Sequence, residues 1–368
     1  MNSNIRKLHD LGQRIWLDNI TREMLNNGTL AHYIAELSVT GLTSNPTIFE
    51  HAIGSGNFYD AAIQNLAAKG SPCEDIFFTL ALQDLTQAAD LFRPIFDASD
   101  GRDGWVSLEV SPLLANDTAG TIEAAARLHA RAARPNLFIK IPGTPEGLPA
   151  IEHSIFHGVP INVTLLFSRE HYVAAAQAYL RGIERRIKAG LDPKVESVAS
   201  LFVSRWDAAV KDEVQPQLHN RLGVAIAMRT YKAYCDVFGS EQWQTLAAAG
   251  ARPQRLLWAS TGTKDPAAPD TLYVEALAAA ETIDTIPEKT LLAFADHGKV
   301  GANLPAEGGC AEAVLDEFKR QGIDDAVLAA RLQHEGVLAF AKSWSGLMLR
   351  IEEKSAQPTA TAERAGTA

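Results

Sequence analysis

Short apolar runs alternate with helix-patterned segments along almost the whole chain, and no other feature restricts the fold as strongly. Runs of strand length occupy 15–20, 40–49, 105–111, 137–142, 160–167, 197–204, 255–261 and 290–296. Strands separated by amphipathic helices build βαβ units, whose strands pair in parallel. Eight such units is the number that closes a (β/α)8 barrel. The predicted fold is therefore α/β, a (β/α)8 TIM barrel with extra helices. Between the runs, Val173, Ala176, Leu180, Ile183 and Ile187 recur at helical spacing within 170–189. Segments 75–96, 119–133, 311–321 and 325–352 read as further helices, and the connections after Phe49 and Ser204 are long enough to hold an additional one each. A single barrel domain is expected over 1–352, followed at 353–368 by a disordered tail without apolar periodicity.

Composition narrows the function. The chain carries 34 Lys+Arg against 44 Asp+Glu, a formal net charge of −10. That balance disfavours a general nucleic-acid binder or a binder of anionic membranes, while a few local cations can still hold a small anion. Cys73, Cys235 and Cys310 are dispersed and form no CxxC pair. They read as inert thiols in a reducing compartment rather than as a disulfide framework or a zinc site. The first residues lack a signal-peptide pattern, and no apolar run reaches the ~18 residues of a membrane helix. The expectation is a soluble cytoplasmic protein.

Strand side chains alternate between two faces. In 105–111, Ser107, Glu109 and Ser111 oppose Val106, Leu108 and Val110. In 137–142, Phe138 and Lys140 oppose Leu137, Ile139 and Ile141. In 160–167, Asn162, Thr164 and Leu166 oppose Ile161, Val163 and Leu165. Asp18 shares a face with Trp16 and Ile20, Ser200 with Phe202, and Ser260 with Trp258. The predicted interior thus carries Asp18, Glu109, Lys140, Asn162, Thr164, Ser200 and Ser260. Most of them lie in the C-terminal half of their strand, where barrel enzymes place their active sites.

Burying one amine among carboxylates and hydroxyls is costly unless the groups serve one another. A lysine between low-dielectric walls gives up its proton more readily. The neutral amine attacks an aldehyde or ketone to form a Schiff base. Once protonated, the imine is an electron sink for making or breaking a carbon–carbon bond. Carboxylates are needed to move the protons, and Glu109 and Asp18 are the candidates. The residues alone also allow a strand lysine that guards a sheet edge, and a glutamate that is only an ion-pair partner.

Other motifs are weaker. His153 and His157 are spaced i, i+4, but the Glu of a zinc-protease motif is missing between them. Gly54-Ser55-Gly56 lacks the third glycine of a dinucleotide loop, and Gly262-Thr263-Lys264 lacks the upstream glycine of a P-loop. Asp296-His297-Gly298 falls at the end of the eighth predicted strand and is assigned no role.

Three segments, in order and each on a predicted strand, resemble the transaldolase family. They are Thr40-Gly41-Leu42-Thr43-Ser44-Asn45-Pro46-Thr47-Ile48-Phe49, Ile139-Lys140-Ile141-Pro142-Gly143-Thr144-Pro145-Glu146-Gly147-Leu148 and Pro160-Ile161-Asn162-Val163-Thr164-Leu165-Leu166-Phe167. The resemblance runs from about Ile15 to Ser345 and is nearest to the long subgroup that also occurs fused to a glucose-6-phosphate isomerase. It implies a class I aldolase-like barrel with the Schiff-base lysine, Lys140, on strand 4. It implies transfer of a dihydroxyacetone unit from sedoheptulose 7-phosphate to glyceraldehyde 3-phosphate, in the non-oxidative pentose phosphate pathway.

By the same resemblance, Asp18 is the acid/base of the carbon–carbon step. Glu109 works through a water with Thr164 beside it, and Asn45 and Asn162 hold donor hydroxyls. Ser200, Phe202 and Arg205 match a Ser-x-Phe-x-x-Arg segment, and Ser260 ends strand 7. Arg205 is the match for phosphate binding. Family members carry a second arginine shortly after the strand-7 serine. Here that stretch reads Ser260-Thr261-Gly262-Thr263-Lys264, so Lys264 takes the place as a point charge without a bidentate fork. No metal or organic cofactor is implied, the partners are small sugar phosphates, and the assembly is a homodimer or a monomer. The competing readings are a fructose-6-phosphate aldolase, an isomerase using Glu109 as a base, and a catalytically silent sugar-phosphate sensor. The related aldolases are generally smaller and usually replace the Glu109-type carboxylate.

Overall fold

The computed structural model describes residues 2–357. Eight parallel strands close into a barrel in chain order: β1 (Arg14–Leu17), β2 (Val39–Thr43), β3 (Trp105–Glu109), β4 (Leu137–Pro142), β5 (Ile161–Leu166), β6 (Ser197–Phe202), β7 (Arg255–Ala259) and β8 (Thr282–Ile286), with β8 pairing back onto β1. Helices connect the strands and pack outside them, so the fold is the (β/α)8 barrel that the alternation predicts. The two long connections do hold extra helices. Asp60–Ala68 and Cys73–Ala98 both follow the helix after β2, and three α-helices and a short 3-10 helix separate β6 from β7.

The eighth predicted strand is misplaced. Segment 290–296 lies inside the helix Glu288–His297, and β8 sits just upstream. Thr282-Ile283-Asp284-Thr285-Ile286 has the β-branched, alternating character of a strand. Leu291 and Phe294 are instead buried at i, i+3 on one helix face. Asp296-His297-Gly298 therefore ends a helix, where His297 pairs with Asp270 at 2.9 Å. The second predicted run also ends early. Asn45 accepts from the Ile48 N–H (3.0 Å), Pro46 takes the first helical position, and Pro46–Gly54 is a helix.

Alternation fails at three further points. Ile20 packs into the outer, helix-facing core rather than beside Asp18. In β5 the pairing with β6 slips between Val163 and Leu166. Leu165, at φ +59°, then turns toward Phe167 and Phe202 while Leu166 joins the outer core. In β7, Trp258 faces outward, donating its indole N–H to the Leu277 carbonyl (3.0 Å). Ser260 gains the barrel end only because it follows the strand with φ +55°.

The lower barrel is a packed plug. Trp16, Trp105, Phe138, Val198, Leu257 and Ile283 share one buried cluster, with Trp105 stacked on Phe138 at 4.0 Å between ring centroids. At its base, Asp103 joins Arg14 (2.9 Å) to Arg255 (3.0 Å). Gly41 on β2 faces this plug: a Cβ there would lie 2.7 Å from both the Trp105 carbonyl oxygen and the Trp16 ring.

The helix Asp325–Ala356 returns across the other end of the barrel. Gln333 donates to the Leu165 (2.9 Å) and Gly143 (3.2 Å) carbonyls, and Thr47 and Ser343 hydroxyls meet at 2.8 Å. Trp344 packs edge-on against Phe77. This helix continues through Ala356, into the segment expected to be a disordered tail, and 358–368 lie outside the described residues. No helix among the described residues is long and apolar enough to cross a membrane.

Gly41→Ala is expected to destabilise the fold by about 1–3 kcal/mol by overpacking the plug. Urea unfolding would read this as a lower midpoint, and an unchanged midpoint would show that the plug accommodates the methyl group.

Candidate active site

Strand register builds the centre of the site. β3 and β4 pair Glu109 with Lys140, and β4 and β5 pair Lys140 with Asn162. All three point inward, so a carboxyl, an amine and an amide form a row across neighbouring strands. Lys140 Nζ lies 3.5 Å from Glu109 Oε2 and donates to the Ser44 carbonyl at 3.2 Å. The two side chains are only 5% and 3% exposed. Asn162 is fixed at both ends: its Nδ2 donates to Ser107 Oγ (3.1 Å), and its Oδ1 accepts from Ser200 (2.7 Å).

Above this row a cavity of about 490 Å³ opens at the C-terminal end of the barrel. Of the residues expected at the site, Asp18, Asn45, Lys140, Ser200, Phe202, Arg205, Ser260 and Lys264 line it. Glu109, Asn162 and Thr164 do not, and are buried behind its wall. Neither Glu109 oxygen nor Thr164 Oγ1 has a hydrogen-bond partner among the described residues.

Burial governs the carboxyl groups. Desolvation pushes Glu109 up to about 7, against the pull of Lys140, with Asp18 adding to the rise. Asp18 follows directly on β1 and is also held above the usual carboxylate range by burial, opposed by Lys140 and by the hydroxyl of Thr43. Thr43 donates to Asp18 Oδ1 at 2.8 Å and meets the Thr285 hydroxyl at 2.7 Å.

Two cations face the cavity. Arg205, in the helix Ser204–Val210, lies over the rings of Phe202 (5.0 Å) and Phe340 (5.7 Å). Neither Arg205 nor Lys264 makes an ion pair among the described residues, which leaves both free to meet an anion. Gly336 clears room for Arg205, since a Cβ there would stand 3.3 Å from Nη1. The Arg205 helix is anchored by Asp207, which accepts from the Leu222 N–H (2.9 Å) and the Tyr273 hydroxyl (2.8 Å).

Several contributors escape the sequence reading. Thr285 is missed because strand 8 is misplaced, although the alternation within 282–286 carries its signal. Thr43 sits inside a quoted motif, but its bond to Asp18 depends on the β1–β2 register. Phe340 reaches the cavity from a helix some 200 residues beyond Lys140, and nothing in its local sequence announces that. His153 and His157 stack at 4.1 Å, with Phe156 edge-on to His157, and neither lines the cavity. No cluster of three or more His, Cys, Asp or Glu suited to a metal occurs among the described residues.

Comparison with known proteins gives the family. Residues 15–351 match the family model described as transaldolase/fructose-6-phosphate aldolase. A transaldolase of Thermobifida fusca is 44% identical over 368 residues, covering 98% of this chain and 100% of the relative. A transaldolase of Saccharopolyspora erythraea is 44% identical, covering 96% of this chain and 98% of the relative. One from Thiobacillus denitrificans is 45% identical, covering 93% and 97%. Matched along nearly its whole length, the chain belongs to the transaldolase/fructose-6-phosphate aldolase family.

Proposed function

We propose that this transaldolase transfers a dihydroxyacetone unit from sedoheptulose 7-phosphate to glyceraldehyde 3-phosphate through an imine on Lys140. The products are erythrose 4-phosphate and fructose 6-phosphate, a step of the non-oxidative pentose phosphate pathway in the cytoplasm. The barrel over 1–352 acts as the single catalytic unit. One observation carries the reading: a buried amine, 3.5 Å from a carboxyl held up to about 7, opens on a cavity with two unpaired cations.

The Lys140 amine adds to the donor ketone carbon, and the carbinolamine loses its hydroxyl as water. Glu109 supplies the proton for that departure, through a water that Thr164 also contacts, because near neutral pH it keeps a proton to give. Asp18 takes the proton from the C4 hydroxyl as the C3–C4 bond breaks, and the bonding electrons flow to the iminium nitrogen. The aldehyde departs and the three-carbon enamine stays on Lys140. It then adds to the acceptor aldehyde, Asp18 returns the proton to the new hydroxyl, and hydrolysis frees the product. Asn45 and Asn162 bind donor hydroxyls, and Ser200 keeps the Asn162 amide oriented. Ser260 lines the distal wall. Arg205, held by Phe202, grips the phosphate with its fork, and Lys264 adds a point charge.

Borohydride reduction in the presence of fructose 6-phosphate, followed by peptide mapping, is expected to leave a three-carbon adduct on Lys140. An adduct on no lysine, with bound substrate demonstrated, would sink the imine. Erythrose 4-phosphate should accept the unit far faster than water does; the reverse order would make the enzyme an aldolase. Lys140→Ala should lower kcat roughly ten-thousand-fold without unfolding the protein. Lys264→Ala is expected to raise KM for phosphorylated sugars about tenfold with kcat little changed, and an unaltered KM clears Lys264 of phosphate binding. The rate of imine formation should fall as pH climbs through about 7 and Glu109 loses its proton. Glu109→Gln should remove that limb.

A further inference from the structure

The imine chemistry leaves several buried carboxyls unused, and Asp284 alone of them has neither a cation nor a backbone N–H beside it among the described residues: Arg22 meets Asp84, Arg14 and Arg255 meet Asp103, Arg252 meets Glu196, and the Leu222 N–H meets Asp207. Asp284 sits in the middle of β8 and is fully buried. It lies between Ile283, which packs in the barrel interior, and Thr285, which lines the cavity. Alternation therefore turns Asp284 to the opposite, helix-facing side. Its strand neighbours are Ile15 on β1 and Trp258 on β7, neither of them charged. Charged groups of the surrounding elements are engaged elsewhere. Glu275 holds Thr271 and the Lys299 N–H, Glu288 holds Tyr33 and Asn19, and Asp207 holds Tyr273. No ion pair reaches Asp284 among the described residues, so a charge there would go uncompensated.

The contacts around it assign the proton. Asp284 Oδ1 lies 2.8 Å from Thr261 Oγ1, and Oδ2 has no partner among the described residues. Thr261 Oγ1 also lies 3.1 Å from the Thr285 carbonyl oxygen. A carbonyl can only accept, and a hydroxyl has one proton to give. With Asp284 ionised, two acceptors compete for that one proton. With Asp284 protonated, it donates to Thr261, Thr261 donates to the Thr285 carbonyl, and both short contacts are satisfied. Burial pushes Asp284 in the same direction, up to about 7, opposed only by the Thr261 hydroxyl.

Thr261 is the fully buried anchor of the 260–264 loop, and its neighbours Ser260, Gly262 and Lys264 line the cavity. We propose that Asp284 is a positioning residue: as a neutral acid it donates to Thr261 and so ties the loop carrying Ser260 and Lys264 to the end of β8. The kinetic consequence rests on the reading of Lys264 as a phosphate contact; the tie itself does not. As pH rises through about 7 the proton leaves, Thr261 must choose between acceptors, and the loop loosens.

The test compares the native enzyme with Asp284→Asn, Asp284→Ala and Thr261→Val, by KM and kcat for fructose 6-phosphate against pH and by amide exchange of 260–264 corrected for intrinsic rates. Asp284→Asn keeps a neutral donor of the same size. It should match native KM at pH ~6.5 and stay flat to pH ~8.5, where native KM rises about fivefold with kcat less affected. Asp284→Ala and Thr261→Val should show the raised KM and faster loop exchange at both pH values. Glu109 is common to native and Asp284→Asn, so its titration cancels from their comparison. The proposal is overturned if Asp284→Asn behaves like Asp284→Ala at pH ~6.5, or if native and Asp284→Asn have the same KM profile and loop exchange. Should Asp284→Ala fail to fold, Asp284→Asn and Thr261→Val decide the matter alone. Altered loop exchange without altered KM would uphold the tie and remove only Lys264 from phosphate binding.

Discussion

The pairing of Glu109 with Lys140 across β3 and β4 is the constraint on which the site depends. Parallel register sets the two side chains opposite each other inside a closed barrel, Lys140 at the floor of the cavity and Glu109 behind its wall, both almost wholly shielded from bulk water. Separating such a pair would leave a buried charge uncompensated, so each group holds the other in place. The same burial that makes the pair costly makes it useful, because desolvation holds the Glu109 proton into the neutral range. The aromatic plug of Trp16, Trp105 and Phe138 supplies the rigid floor beneath it. Strand shear then carries the polar row on to Asn162 and Ser200, whose hydrogen bonds leave the amide a single orientation.

The rim follows a different logic. Arg205 is braced by aromatic faces rather than by a carboxylate, so its charge is directed but not spent. One of those faces, Phe340, comes from the C-terminal helix, which also seals the ends of β4 and β5 through Gln333. That helix brings both Phe340 and Gly336 against Arg205 at the rim. Gly336 is the residue that lets it approach. On the far wall, the loop bearing Lys264 has its buried anchor at Thr261, against β8.

Much of this was legible from the chain. Seven strands overlap the apolar runs, and alternation placed Glu109, Lys140 and Asn162 on the interior face because side chains in an undistorted strand obey a period of two. The errors occur where that period breaks. The β5 slip sends Leu165 inward and Leu166 outward, and the left-handed turn after β7 brings Ser260 to the cavity while Trp258 points away. Segment 290–296 was misread because a short apolar run fits a buried helix face as well as a strand.

By itself the sequence determined the barrel, its interior amine and carboxyls, and the family signatures, since these rest on local periodicity and short motifs that act within one strand or turn. Only the tertiary structure decided which groups are sealed and which are open. Closure of β8 onto β1 brings Thr285 to Thr43 and thereby to Asp18, and the returning helix sets Phe340 over Arg205. Both contacts join residues more than a hundred positions apart, and their geometry comes from shear and packing, to which no local pattern of residues corresponds.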